Sequence, residues 1–342
     1  SATTPDLSGA NGGSLISRGR VAAVLAAGLL GLSAGTVFVT ACGSGVRPPD
    51  TPPPASAPTT PSRPPPQPPP RTPGPAVLAV KIDNAREARP ARGLGNADLV
   101  YIEPVEGGAS RIIAVFASQL PPVVGPVRSA RETDLQLLPQ FGHPALAFSG
   151  AAPSLLPRIA RAAVRDASAD RVPRAYFRDR NRAAPHNMFV RPGQLPKGGE
   201  WPANTEPQFG PAPAGGVPSS HRVVRYRAAN VGFDWAATAN RWLVSLDGAP
   251  AMSDGHRLAA STVVVQQVRV HQSAIRDVAG SPSPIADTVG HGRALILRNG
   301  QLFQANWSRT APDQGTTYTT PTGQPIRFES GQVWTVLSPG RL

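Results

Sequence analysis

The sequence predicts an α+β fold, with a mixed sheet and packed helices in a first folded segment (76–197) and a mostly β second segment (220–342). Two observations predict this fold. Before residue 197, short apolar runs rich in β-branched residues alternate with helix-like runs. After residue 220, strand-like runs follow one another with turn signals between them. A stretch rich in Gly and Pro, 198–219, lies between the segments and is interpreted as a linker.

The first segment begins with three apolar runs that predict strands, and these are 76–82, 98–103 and 110–116. Ser129 is followed three residues later by Glu132, which is a capping-box pattern and predicts a helix from 130 to about 138. A further strand is predicted over 145–149 and a second helix over 153–164.

The second segment is read as a series of strands, which are 223–226, 241–246, 262–270, 294–297, 301–307 and 332–337. Asn299-Gly300 between two of these runs predicts a two-residue hairpin with a type I′ turn. The Trp side chains of this segment are predicted to pack in the core or on a face of the sheet, with a carbohydrate-binding platform as the alternative, and these are Trp235, Trp242, Trp307 and Trp334.

Residues 1–42 are interpreted as a lipoprotein signal segment. Arg18 and Arg20 precede the uncharged apolar run 21–41, which ends in Val-Thr-Ala before Cys42, the single cysteine of the chain. Small residues before a cysteine are typical of a bacterial lipobox, in which the thiol receives a lipid. The pattern predicts export, lipidation of Cys42 and a position on the extracytoplasmic face of the cell membrane. An uncleaved signal anchor with an incidental cysteine is the alternative.

Residues 43–75 contain 15 of the 41 prolines and are interpreted as a tether. Proline-rich chains favour the extended polyproline II conformation, which would give this segment a reach of about 100 Å. The tether would hold the folded segments well away from the bilayer.

The charge of the chain is strongly basic and unevenly distributed. The net charge is +13, and segment 76–197 alone has 17 basic and 10 acidic side chains. A basic chain can bind nucleic acid, an anionic membrane surface or an acidic polymer, and export excludes nucleic acid as the normal partner. The predominance of arginine has a simpler alternative origin, which is a high genomic GC content. One cysteine excludes a disulfide scaffold.

Four short motifs occur in order in the first segment, and they are Lys-Ile-Asp-Asn (81–84) with Ala-Arg-Pro (88–90), Glu-Pro-Val-Glu-Gly-Gly-Ala-Ser-Arg (103–111), Gly-Pro-Val-Arg-Ser-Ala-Arg (125–131) and Pro-His-Asn (185–187). In this order and spacing the chain resembles the YerB-like lipoproteins, a bacterial family of unknown function, over nearly all of 76–342. The resemblance implies an envelope lipoprotein with an N-terminal and a C-terminal domain, and it supplies no reaction. The chain departs from the family at 149–153, where a glycine-richer turn, often preceded by histidine, is usual.

The arginines of these motifs have two interpretations. They either form a network with nearby carboxylates that fixes the turn, or they form a site for an anionic ligand, because guanidinium groups bind carboxylates and phosphates in a fork geometry. The candidate ligand-binding residues are Lys81, Asp83, Asn84, Arg111, Arg128, Arg131 and Asn187. The dense series of arginines from Arg158 to Arg182 is interpreted either as a solvated helix face or as a surface facing a polyanion.

Three residues are weak candidates for catalysis. Glu103 and Glu106 would serve as an acid/base pair in glycan cleavage if their carboxyl groups faced the same space, and ion pairing with arginines is the alternative. His186 is a candidate acid/base group, with a structural role as its alternative. No histidine pair has metal-ligand spacing and no nucleotide-binding glycine loop occurs, so neither a metal nor a cofactor is predicted.

The sequence therefore predicts a membrane-anchored envelope lipoprotein that binds an anionic cell-wall component, such as a glycopolymer or peptidoglycan, or an envelope protein partner. The alternative is an envelope enzyme that cleaves wall glycan or peptide with Glu103, Glu106 and His186. A third possibility is a structural partner of membrane-bound wall machinery, in which the basic charge is incidental.

Overall fold

Strands dominate the part of the chain that the structure describes. In the computed structural model, residues 75–277 and 280–342 are described, and they contain 22 β-strands and two α-helices of six residues each. The helices are α1 (Glu132–Leu137) and α2 (Leu156–Arg161). The predicted mixed sheet is present and α1 and α2 pack on one of its faces, but the structure is mainly β, which corrects the predicted α+β class.

Proline limits both helices. Pro139 has no N–H to donate to the carbonyl of Leu135, and after α1 the chain tightens into a 3-10 turn. Pro157 conflicts with a helical residue four positions earlier, so the second helix starts at Leu156 rather than at 153. The short 3-10 helices of the described ranges are Arg86–Ala88, Leu94–Asn96, Glu106–Gly108, Leu138–Phe141, Pro173–Ala175 and Pro192–Gln194.

The strands are numbered in chain order. Up to residue 190 they are β1 (Leu78–Asp83), β2 (Leu99–Pro104), β3 (Ser110–Phe116), β4 (Ala145–Ala147), β5 (Arg165–Asp166), β6 (Tyr176–Arg178) and β7 (Met188–Val190). From residue 217 to 260 they are β8 (Val217–Pro218), β9 (His221–Arg225), β10 (Asn230–Ala236), β11 (Arg241–Leu246), β12 (Ala249–Pro250), β13 (Met252–Ser253), β14 (His256–Arg257) and β15 (Ala259–Ala260). From residue 262 on they are β16 (Thr262–Gln267), β17 (Val270–Arg276), β18 (Pro282–Ala286), β19 (Gly290–Arg298), β20 (Gln301–Arg309), β21 (Thr317–Thr319) and β22 (Val333–Ser338).

One 11-stranded sheet contains strands from both sequence segments. Its order is β21-β20-β19-β16-β22-β2-β3-β1-β4-β5, and β8 pairs with β20 beside this path. The join is β22, which lies parallel to β16 on one side and parallel to β2 on the other. The described residues all belong to one compact unit. The segments 76–197 and 220–342 thus both supply strands to a single sheet.

The segment 198–219 lies against this sheet and supplies its strand β8. Gly199 exchanges backbone hydrogen bonds with Val77 and His143, and Trp201 is buried with its ring 5.1 Å from that of Phe141.

Apolar side chains fill both faces of the central strands. On one face, Val80, Ile112 and Val100 contribute to a core that continues into the second sheet, which has the order β12-β11-β10-β9 with β15 beside β11. On the other face, Ala79 and Ile113 contribute to a second core that includes residues of α1 and α2. Both faces of the sheet are therefore covered, which is why its strands read as continuous apolar runs.

The predicted hairpin and most of the predicted tryptophan packing are found. Asn299 and Gly300 have positive φ values and join β19 to β20, with Arg298 opposite Gln301. Trp242 and Trp334 are fully buried and Trp307 is nearly so, whereas Trp235 is only partly buried.

The hairpin of β17 and β18 lies outside the large sheet and packs on α1. Ala286 donates its N–H to the Thr133 hydroxyl at 3.1 Å, and the side chain of Gln136 accepts N–H groups from Thr288 and Val289. This hairpin therefore stands next to the loop that precedes α1. Two further two-stranded sheets pair β6 with β7 and β13 with β14.

Within 75–277 and 280–342, the chain forms no helix that is long and apolar enough to cross a bilayer. The predicted signal segment, 1–42, and residues 43–74 of the predicted tether lie outside the described residues.

Candidate anion-binding cleft

Charged side chains gather where β1, β2 and β3 meet on one face of the sheet. Asp83 of β1 lies opposite Arg111 of β3, and Arg111 lies opposite Glu103 of β2. Residues two positions apart on a strand share a face, so Lys81 lies on the same face as Asp83. The segment 125–131 runs beside the end of β1 and forms backbone hydrogen bonds with it. The sheet thus brings three of the four sequence motifs together at this point.

The carboxylate of Asp83 contacts two arginines and a histidine. Its carboxylate is buried and accepts a hydrogen bond of 2.5 Å from Arg111 Nη1, and Arg128 Nε lies 3.1 Å from its second oxygen. His186 Nδ1 is 2.8 Å from the same oxygen. Burial alone would raise the pKa of the Asp83 carboxyl, but the Arg111 charge and the hydrogen bond from His186 outweigh it and hold the pKa below its ordinary value. Asp83 is therefore ionised at neutral pH.

The carboxylate of Glu106 binds the third arginine, Arg131. Arg131 Nη2 donates to the Glu106 carboxylate at 3.0 Å, and its Nε lies 2.8 Å from the other oxygen. The Ser283 hydroxyl of β18 also donates to this carboxylate. Burial would raise the pKa of Glu106, and the hydrogen bond and charge of Arg131 outweigh it and lower the pKa. Glu106 therefore links the loop after β2 to the start of α1 and to the β17–β18 hairpin.

A second ionic group lies fully buried below these residues. Lys81 Nζ donates to Glu103 and, at 2.6 Å, to Asp134, and all three side chains have 0% of their surface exposed. Asp134 also accepts the backbone N–H of Arg131 at 2.7 Å, which caps the start of α1. The predicted capping residues, Ser129 and Glu132, do not form this cap. One cation thus stands between two carboxylates.

Burial makes Glu103 an unusually weak acid. Burial raises the pKa of Glu103, the Lys81 charge lowers it, and the Asp134 charge raises it again, so that the pKa reaches about 7. Its Oε2 atom is buried without a hydrogen-bond partner, as expected for a carboxyl that gains little from being ionised. The group is close to neutral when Glu103 is protonated.

We expect the free energy of unfolding to fall as the pH rises from about 4.5 to about 7, by about 3 kcal/mol at about 1.4 kcal/mol per pKa unit. The folded pKa of Glu103 lies above its ordinary value, so in this range the folded protein holds a proton that the unfolded chain has released. The stabilisation from this proton is complete below the unfolded pKa of Glu103 and is lost as the pH approaches the folded pKa. Urea denaturation at several pH values measures it.

Glu103→Gln is the matched variant for this experiment, because it removes the titration and keeps the size and polarity of the side chain. Its pH slope should be much flatter than that of the wild type over the same range. The contributions of Asp83 and Glu106 do not interfere, since their lowered pKa values place the loss of stability at more acidic pH. An equal slope in both proteins would contradict the assignment to Glu103.

An open cleft of about 460 Å³ lies above these ionic groups. Its charged and hydroxyl-bearing side chains are Glu106, Arg111, Arg128, Ser129, Arg131, Glu132, Arg276, Asp277 and Ser283. Its apolar side is formed by Val105, Ala109, Ala130, Ala151, Ala152, Pro153, Leu155 and Ile275. The cleft thus has a charged floor and an aliphatic wall.

Two of the arginines have N–H donors that form no hydrogen bond within the described residues. In the described part of the chain, Arg111 makes its hydrogen bond to Asp83 through Nη1 alone, and Arg128 is ion-paired with Asp83 through Nε at 3.1 Å without forming a side-chain hydrogen bond. The remaining terminal nitrogens, Arg111 Nη2 and Arg128 Nη1 and Nη2, make no hydrogen bond there and are not fully buried. Arg131 differs, because Glu106 and the carbonyl of Ala130 take up its donors. Arg111 and Arg128 are therefore the groups that are ready to bind an anion.

The structure brings together only part of the predicted ligand-binding set. Arg111, Arg128 and Arg131 line the cleft, Asp83 lies beside it, and Lys81 lies in the buried group below. Asn84 donates to Ser110 and lines a separate cavity of about 380 Å³. Asn187 accepts from Arg178 and donates to the carbonyl of Arg182, so it fixes its own loop. Cys42, the predicted lipidation site, lies outside the described residues.

The three weak catalytic candidates lie in different surroundings. Glu103 is fully buried on Lys81, Glu106 is bound by Arg131 and Ser283 at the cleft, and His186 contacts Asp83 without lining the cleft. Of the two carboxylates, only that of Glu106 faces the open space. Among the described residues, no group of three or more His, Cys, Asp and Glu side chains could hold a metal ion.

Sequence reasoning missed the part of the cleft that comes from the β17–β18 hairpin. Ser283 reaches Glu106 across 177 positions of sequence, and Ile275 adds to the apolar wall. Residues 270–286 alternate polar and apolar side chains only weakly, which is why this hairpin was not predicted. No local signal indicated the hairpin, because Pro282 and Pro284 lie within β18 and proline in a sequence argues against a strand.

Two family models match the chain. The model described as "Protein of unknown function (DUF3048) N-terminal domain" matches residues 66–201. The model described as "Protein of unknown function (DUF3048) C-terminal domain" matches residues 222–335. Together they span well over half of the 342 residues and contain every side chain that lines the cleft.

Similarity to individual proteins points the same way. The chain is 51% identical over 55 residues to "Putative lipoprotein YerB" of Bacillus subtilis (strain 168), a match that spans 16% of this chain and 17% of that protein. Among solved structures, it is similar to the crystal structure of YerB protein from Bacillus subtilis, with a TM-score of 0.65 and 21% identity over 78% of this chain and 91% of that chain. The structural likeness shows a shared fold.

Proposed function

The chain belongs to the DUF3048 family, and we propose that it is a membrane-anchored envelope lipoprotein that binds an anionic component of the cell wall in the cleft. The observation that carries the proposal is the pair of incompletely bonded arginines, Arg111 and Arg128. Arginine terminal N–H groups that point into an open, partly desolvated cleft bind carboxylate or phosphate oxygens more strongly than groups in bulk water do.

The charge balance of the cleft supports an anionic ligand. Three guanidinium groups, from Arg111, Arg128 and Arg131, stand against two carboxylates, from Asp83 and Glu106. Among the other charged side chains of the cleft, Glu132 is paired with Arg158, and Arg276 and Asp277 have opposite charges. One positive charge is left over, and a ligand with a negative charge would compensate it.

The lipoprotein part of the proposal rests on the sequence and on the relative. The small residues before Cys42, the apolar run 21–41 and the proline-rich tether 43–75 fit a lipid anchor with a spacer. The similar Bacillus subtilis protein is named as a lipoprotein. On this proposal the cleft lies on the extracytoplasmic side, where wall polymers with phosphate or carboxylate groups are present.

We expect Arg128→Gln to weaken binding to isolated anionic wall polymer by about ten-fold or more, because a hydrogen bond to a charged group contributes about 1.5–3 kcal/mol. The full chain in detergent micelles, mixed with the polymer and sedimented at low salt, provides the measurement. Arg174→Gln is the matched control, since Arg174 is an exposed arginine of the basic series outside the cleft and its change removes the same charge. Its effect should be small.

Two outcomes would contradict the proposal. Equal losses of polymer binding in Arg128→Gln and Arg174→Gln would show that binding depends on the overall charge of the protein rather than on the cleft. Binding that stays the same at high salt and in Arg128→Gln would show that no arginine of the cleft takes part, since ionic contacts of this kind weaken as salt rises.

A further inference from the structure

We propose that the ligand group bound in the cleft is the free C-terminal carboxylate of a short peptide with small aliphatic side chains. This inference rests on the proposed function and names the chemistry of the ligand. It combines three features of the cleft, which are the single uncompensated positive charge, the two open guanidinium groups and the aliphatic wall.

The charge count favours a group with one negative charge. The three arginines of the cleft contact two carboxylates, that of Glu106 in the cleft and that of Asp83 beside it, and the buried group below is neutral whenever Glu103 is protonated. A carboxylate brings one negative charge and leaves the cleft balanced. A phosphate monoester, which brings nearly two, would leave an uncompensated negative charge in a partly buried space, and this is unfavourable.

The donors fit a small planar anion. Both terminal nitrogens of Arg128 are free of hydrogen bonds in the described ranges, and such a pair of N–H groups matches the two oxygens of one carboxylate. Arg111 Nη2 supplies a further donor from the other side of Asp83. Because Arg111 is hydrogen-bonded to Asp83 and Arg128 is ion-paired with it, part of their side-chain freedom is already lost before an anion binds.

Half of the apolar residues that line the cleft are alanines. These are Ala109, Ala130, Ala151 and Ala152, and Ile275 of the β17–β18 hairpin lines the cleft together with them. Methyl-sized side chains next to a carboxylate would bury apolar surface here, whereas the hydroxyl groups of a glycerol or sugar phosphate would lose water without finding partners.

One hydroxyl is placed to bind the peptide backbone. Ser129 lies between Arg128 and Ala130 and lines the cleft, and its hydroxyl makes no hydrogen bond within the described part of the chain. A hydroxyl can donate or accept, so it suits either the N–H or the C=O of an amide. The last amide of a peptide, which one Cα atom separates from the terminal carboxylate, would offer both.

The test is titration calorimetry of the full chain at about pH 6, where most Glu103 is protonated because of its raised pKa. The probes are acetyl-Ala-Ala with a free carboxylate, the same peptide as its C-terminal amide, and glycerophosphoglycerol as a phosphodiester. We expect the free acid to bind at least about ten-fold more tightly than the amide and the phosphodiester. Arg128→Gln should remove the difference between acid and amide, and the control Arg174→Gln should keep it.

Ile275→Ser tests the aliphatic wall separately. It should weaken binding of acetyl-Ala-Ala and leave binding of acetate unchanged, since acetate has too little apolar surface to use the wall. Equal binding of the acid and the amide would overturn the inference. Binding of the phosphodiester alone, lost in Arg128→Gln, would overturn it and leave the proposed function standing, whereas failure of all three probes and of wall polymer would overturn both.

Discussion

Lys81→Met is expected to lower the free energy of unfolding at neutral pH by about 3–5 kcal/mol, because it breaks a buried ionic group by removing one partner. Lys81 is the one cation that contacts Glu103 and Asp134 among the described residues, and all three side chains are fully buried. Without it, two carboxyl groups remain in the interior, and at least one must take up a proton or stay charged without a partner. Urea denaturation of the wild type and the variant measures the difference.

The double variant Lys81→Met/Glu103→Gln is the control that separates lost charge pairing from lost packing. It leaves one buried carboxyl, Asp134, which keeps its hydrogen bond from the Arg131 N–H. Its stability should therefore lie above that of Lys81→Met alone, which is a coupling that independent sites do not show. A loss below about 1 kcal/mol in the single variant would mean that the group does not hold the strands together in this way.

The first three strands could be predicted from the sequence because their information is local. The predicted strand 110–116 is observed as β3 with the same bounds, and the other two are displaced by one or two residues. What the local pattern could not supply was the environment of Lys81. It stands inside an apolar run, and the run does not show that its partner lies 53 residues further on, in Asp134.

The start of α1 shows how two overlapping patterns compete. Ser129 and Glu132 have the spacing of a capping box, but the backbone N–H groups on either side of Ser129 bond elsewhere, that of Arg128 to Lys81 of β1 and that of Ala130 to Gly150. These extended contacts keep the chain out of the helix until Glu132. Tertiary hydrogen bonds thus decided between two local options, which sequence spacing alone could not do.

The cleft could be predicted in part, because its arginines lie in short motifs while its wall does not. The chemistry of Arg128 and Arg131 was visible in the sequence, together with the two interpretations of a structural network and an anion site. The structure shows that each interpretation applies to a different arginine. Arg131 is hydrogen-bonded to Glu106, as in a structural network, whereas the terminal nitrogens of Arg128 form no hydrogen bond within the described residues, as in an anion site. This division depends on side-chain geometry, which spacing does not encode.

Local sequence patterns also could not predict that the large sheet contains strands from both sequence segments. The strand that joins the two sequence segments, β22, pairs with β2 more than 230 positions earlier, through partners such as Val333 and Leu99. Parallel pairing over such a distance leaves no turn signal in the sequence, because the connection contains most of the chain.

We expect Trp334→Ala to lower the free energy of unfolding by about 3–5 kcal/mol, because it removes a large side chain from a fully packed site. Trp334 is completely buried in β22, its ring lies 6.3 Å from that of Phe233, and its indole N–H donates to Gln332. The strand lies between β2 and β16, so the cavity would weaken the contact between the two sequence segments. Amide hydrogen exchange should therefore quicken on both neighbours to a similar extent.

Trp235→Ala provides the comparison, since Trp235 is only partly buried and lies in β10, outside the large sheet. Trp235→Ala should lower the free energy of unfolding by less than Trp334→Ala does, and its acceleration of amide hydrogen exchange should stay within the second sheet. If Trp334→Ala quickens exchange in β16 and leaves β2 protected, the segments 76–197 and 220–342 unfold independently, and the shared sheet does not make them one cooperative unit. Equal acceleration in β2 and β16 is expected instead, because a strand bonded on both edges cannot lose its packing on one side only.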